Sequence, residues 1–238
     1  GQRLSSACAT IDTIPEQLDD VLQHKADSLA MNVEIKLAAA RRMIRRSGPD
    51  RPAHAEEALC RLKEIPDIIL ASFEEKIVRV KNSVRQRVNS MIHELMNSNV
   101  QADQISGILW TIPEEVQRIA GAAVEEAVEE SKAQATLQLN IALQTLPDAK
   151  ENRLRREIIS SVQREIIKEV PGVYPESVRA ARTTAAVSVG HAILAVDTDA
   201  GAVPNKLVVD VLFRAKAGGG CLADLASKGA TSPSRSSR

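Results

Sequence analysis

The 238-residue chain reads as all-α: long, straight amphipathic helices, about five of them with short connecting helices, in an antiparallel bundle or a helical repeat array. Three observations predict this. A phrase recurs as Thr13-Ile14-Pro15-Glu16 and Thr111-Ile112-Pro113-Glu114, with Glu64-Ile65-Pro66-Asp67 as a looser copy between them. Each copy is followed by apolar or small residues in steps of four, four and three. Few stretches alternate with the period of two that a half-buried strand requires, so no sheet is expected.

The first long helix follows Pro15, with Leu18, Leu22, Ala26, Leu29, Val33, Leu37, Ala40 and Ile44 on one face. The second follows Pro66, with Ile69, Phe73, Ile77, Val80, Val84, Val88, Met91 and Leu95. The third follows Pro113, with Val116, Ala120, Val124, Ala127, Ser131, Ala135, Gln138 and Ala142; Leu137, Leu139, Ile141 and Leu143 add bulk beside that thinner stripe. Steps of four, four and three repeat every 11 residues, or about 3.67 residues per turn. This is close enough to the natural 3.6 that the stripe stays nearly straight, without left-handed supercoiling.

Each proline is read as a helix opener, because the first turn has no use for the N–H that proline lacks. Thr13 with Glu16, and Thr111 with Glu114, have the spacing of a reciprocal capping box, whereas Glu64 leaves the middle copy imperfect. Arg41, Arg42, Arg45 and Arg46 close the first helix at its negative dipole end, before Ser47-Gly48-Pro49-Asp50 stops it. A short segment, Ala53 to Lys63, leads into the second helix, and another, after a break at Asn97 to Asn99, ends near Trp110. Pro147 starts a fourth helix carrying Leu154, Ile158, Ile159, Val162 and Ile166, and Val170-Pro171-Gly172 ends it. Pro175 starts a fifth with Val178, Ala181, Ala185, Val189, Ile193 and Val196. The expected organisation is a helical domain over 1–197, a short amphipathic segment over 198–216, and a disordered Gly/Ser/Arg tail over 217–238.

Composition narrows the function classes. Formal net charge is zero, so no global field recruits nucleic acid. Charge is segregated instead: Glu16, Asp19 and Asp20 begin the first helix, Lys76, Arg79, Lys81, Arg85 and Arg87 lie within the second, and Glu125, Glu126, Glu129 and Glu130 within the third. An antiparallel arrangement sets acidic halves against basic ones. Aromatic residues are 2% of the chain, so the core is built from thin aliphatic layers. Cys8, Cys60 and Cys221 have neither metal-ligand nor disulfide-framework spacing. Together with the absence of an apolar run near 18 residues, they point to a cytoplasmic protein with reduced thiols. The sequence begins without methionine, which reads as a processed or truncated start and leaves export or organelle targeting open.

No catalytic, cofactor-binding or metal-binding constellation is expected. His93-Glu94 is followed by Asn97 where a paired-histidine zinc motif needs histidine. Ser188 and His191 stand one helical turn apart, which falls short of a nucleophile with an oriented base and an oxyanion site. The reading that follows is a non-enzymatic scaffold using helical surfaces for assembly with other proteins, which the sequence does not name. Its candidate contact residues are Trp110, the cluster Arg41, Arg42, Arg45 and Arg46, and Arg235 and Arg238 of the tail. The alternatives are a lipid surface, since 11-residue stripes also suit helices lying on one, and weak nucleic-acid binding through arginine-rich helix faces such as Arg153, Arg155, Arg156 and Arg164.

Overall fold

A computed structural model describes residues 2–47, 52–97, 102–144, 149–167 and 176–197. Among them lie seven α-helices and no strand: α1 (Gln2–Asp12), α2 (Ile14–Ser47), α3 (Pro52–Asn97), α4 (Ala102–Leu109), α5 (Ile112–Leu143), α6 (Ala149–Ile167) and α7 (Glu176–Asp197). The segments 198–216 and 217–238, and with them Arg235 and Arg238, lie outside the described residues.

The helices close into an antiparallel bundle with four sides. α1 and α2 form the first, α3 the second, α4 and α5 the third, and α6 with α7 the fourth. α3 packs between α2 and α5, while α6 and α7 pack against both α5 and the α1–α2 side, which closes the ring. Direction is read from polar pairs. Asp19 and Glu16 of α2 meet Lys81 and Arg85 of α3, so the two run antiparallel. Lys36 faces Glu165, Lys25 faces Glu176 and Gln17 faces Ser188, so α6 and then α7 run antiparallel to α2.

The stripes found in the sequence form the core. All eight stripe residues of α2 and all eight of α3 are buried, as are those of α5 except half-buried Gln138. Burying such stripes against one another is the main favourable term in folding. Leu139 and Leu143 add to the core of α5, but Leu137 faces outward at 51% exposure, and Leu154 of α6 does the same at 44%.

The prolines do not open the repeat. The buried stripe continues upstream in all three copies: Ala7, Ile11, Ile14, Leu18 and Leu22; Ala58, Leu62, Ile65, Ile69 and Phe73; Ile105, Leu109, Ile112, Val116 and Ala120. Each repeat therefore begins well before its proline, and α1, which the periodicity after Pro15 does not reveal, is its first part. Pro66 lies inside the 46-residue α3, so Ala53 to Lys63 is not a separate helix. Apolar packing on both sides of Pro66 outweighs the single lost backbone bond.

Thr13 and Thr111 do break the helix, though not as capping boxes. Each hydroxyl donates to the carbonyl three residues back, Thr13 to Thr10 and Thr111 to Ile108, both at 2.7 Å. Thr111 keeps right-handed helical dihedrals and makes no side-chain cap bond. A threonine hydroxyl that takes a backbone carbonyl competes with the helix ladder. Glu64 stands at the equivalent position in α3 and has no hydroxyl, and there the helix is continuous.

Candidate interaction surface

Two ends of the bundle carry the candidate contact residues. Trp110 stands in the turn between α4 and α5, half-buried against the core. Arg41, Arg42, Arg45 and Arg46 stand near the far end of α2, which packs on α6, whereas α1 and α4 pack on α7. The two sets are thus at opposite ends, and nothing in the fold brings them together. Arg41 is held by the Glu34 carboxylate through both terminal guanidinium nitrogens, Nη2 at 2.7 Å. Arg42 Nε donates to the Ala38 carbonyl at 3.3 Å, and Arg45 and Arg46 are exposed.

Arg41 also borders a feature the periodicity does not reveal. A groove of about 450 Å³ between α2 and α3 is lined by the apolar Ala30, Met31, Pro66 and Leu70 and the charged Asp27, Glu34, Arg41 and Lys63. Met31 and Ile35 are 61% and 62% exposed, one turn apart on α2. They fall outside the buried stripe, and two adjacent large apolar side chains in water are an interaction signal in a way that a lone one is not. They are visible in the sequence as apolar residues, but only the packing shows that none of the described helices covers them.

The seam between α3 and α5 holds a denser polar cluster. Lys76 is 5% exposed, and its Nζ lies 3.2 Å from Glu75, 3.3 Å from Glu126 and 3.2 Å from Glu130. Arg79 reaches Glu126 at 2.6 Å and Glu75 at 3.1 Å. Burial, the largest influence on Lys76, pulls its pKa down, but hydrogen bonds to Glu130, Glu75 and Glu126 outweigh it and hold the ammonium above its usual value. The hydrogen bond from Lys76 and its charge, with help from Arg79, hold Glu75 below the usual carboxylate range. Hydrogen bonds from Arg79 and then Lys76 do the same for Glu126. Across the bundle, the hydrogen bond from Lys25 lowers Glu176. The opposed charge blocks of the sequence thus resolve into specific interhelix pairs. Their chemistry is that of a clasp, in which two cations bridge three carboxylates across the seam.

The titratable and nucleophilic groups singled out in the sequence lie in separate places. Ser188 donates to Gln17 Oε1 at 2.7 Å, tying α7 to α2, while His191 is exposed. Cys8 is buried, which pushes its thiol pKa up, and Cys60 is exposed. Arg153 pairs with Glu157 at 3.2 Å, and Arg155 donates to Asn140 at 3.0 Å. Among the described residues no three His, Cys, Asp or Glu side chains converge to hold a metal ion, and no helix is long and apolar enough to cross a membrane. Compared with known protein families, with characterised proteins and with solved structures, the chain matches none of them.

Proposed function

We propose that the chain is a non-enzymatic scaffold whose helical surfaces dock other proteins. The observation that carries this reading is the α2–α3 face, where Met31 and Ile35 stand exposed beside the groove at Pro66 although every stripe residue of α2 is buried. Packing among the described residues does not account for these two side chains, and a protein contact at this face would cover them. Photo-crosslinking tests it: a crosslinking residue at Ile35 is compared with one at Ser90, on an exposed stretch of α3. Discrete adducts at Ile35 that vanish in Met31→Lys, with none at Ser90, support the reading. Equal, diffuse labelling at both positions sinks it.

The second reading, a lipid surface, is favoured by the 11-residue stripes that run through three long sides of the bundle. Those stripes face one another, so lipid contact requires the bundle to open. Small-angle scattering with and without anionic vesicles separates the readings, because a particle that keeps its compact dimensions on vesicles does not use its stripes there.

A further inference from the structure

α4 is the shortest of the described helices, at eight residues, and the least supported. That is well under the length at which a helix sustains itself in water. Among the described elements it packs on α7, and on no other to a comparable extent. Gly107 lies inside it, with open space where a side chain would stand, and a mid-helix glycine weakens a helix through backbone entropy. Beyond Leu109 the chain turns at Trp110 and Thr111, and Pro113 has no N–H to offer the Leu109 carbonyl. Its counterpart α1 is better anchored. α1 has eleven residues and packs on α3 as well as α7. Its turn is also tied down, because Gln17 donates to Thr13 at 3.1 Å while accepting from Ser188 of α7 at 2.7 Å. What α4 holds against the bundle is apolar: Ile105 and Leu109 are buried, and Ile108 and Trp110 are half-buried.

We propose that α4 is a hinged flap that lifts from α7 and unwinds about the Trp110–Thr111 turn while the rest of the bundle stays closed. Opening bares Ile105, Ile108, Leu109 and Trp110 at one end of the molecule, so an apolar patch appears there only in the open state. The flap is a conformational device at this end of the bundle, distinct from the Met31 and Ile35 face, and it stands independently of the scaffold reading.

Amide hydrogen exchange on the full chain tests it. The α4 amides are expected to exchange at least about tenfold faster than those in the middle of α5. Leu139→Ala weakens the core roughly 40 Å along α5 from its start. It is expected to lower protection across α5 while leaving that of α4 unchanged, because flap opening does not pass through global unfolding. Gly107→Ala places a methyl group in open space and is expected to raise α4 protection about fourfold. Protection of α4 equal to that of α5, or falling in step with it in Leu139→Ala, overturns the proposal. Should Leu139→Ala not fold, α4 protection unmoved by Gly107→Ala overturns it equally.

Discussion

Pro66 offers the sharpest test of how this bundle is built. It is half-buried within α3, and the buried residues Leu62, Ile65 and Ile69 flank it. A proline in a helix interior is about 3 kcal/mol less favourable than alanine, since it withholds an N–H from the carbonyl four residues back and crowds it. Pro66→Ala removes two ring carbons. At about 0.8 kcal/mol per fully buried methylene, a half-buried ring gives up about 0.8 kcal/mol. The proline penalty already includes the stiffness proline gives the unfolded chain, so the net expectation is a gain of about 2 kcal/mol. With a urea slope of about 2 kcal/mol per molar, the midpoint rises by about 1 M. Equilibrium urea denaturation followed by far-UV circular dichroism measures it. Pro113→Ala is the contrast: Pro113 lies in the first turn of α5, where the missing N–H has no partner to lose, and its ring is buried, so the midpoint should fall, by about 1 M. A fall in the Pro66→Ala midpoint refutes the reasoning, because the ring's contacts along the groove would then be holding α3 in place.

Three further outcomes are expected. Glu75 and Glu126 have lowered pKa values, so their stabilisation is complete above the ordinary carboxylate range and is lost as pH falls through the lowered values; Lys76 is raised, so its share is complete below the ordinary lysine value and is lost as pH rises through the raised one. Lys76→Met should therefore flatten both limbs of a stability-against-pH curve, and acid and alkaline limbs that superpose on those of the parent would remove the clasp from the account. Ser131 is fully buried, and among the described residues its hydroxyl has no hydrogen-bond partner; Ser131→Ala should stabilise by about 1 kcal/mol, read as a rise in urea midpoint. Ile35→Lys, at a position 62% exposed, should leave stability within about 0.5 kcal/mol by thermal melting, and a larger loss would show that this face is already covered within the molecule.

Much of the core was legible because burial of a helix face is written in local periodicity. Leu18 through Ile44 and Ile69 through Leu95 are named by their spacing alone and are buried. The role of proline was legible only in part. Counting forward from Pro15, Pro66 and Pro113 misses the same stripe running backward to Ala7, Ala58 and Ile105, because a proline looks like a boundary unless the phase is checked across it. The candidate contact residues fared differently. The arginines of α2 were visible as a cluster, but the engagement of Arg41 by Glu34 was not, and neither was the groove it borders. Lys76 was visible as one member of a basic block, while its three carboxylate neighbours come from its own helix and from α5.

By itself, then, the sequence determines the helical class, the buried face of each long helix and the sign of charge along it, since all three depend on residues a few positions apart. The tertiary structure decides closure into a four-sided bundle, the passage of α3 through Pro66, and the exposure of Met31 and Ile35. Closure and exposure depend on which helix lies beside which, a choice made by packing between segments distant in the chain. At Pro66, that same packing is strong enough to override a local rule.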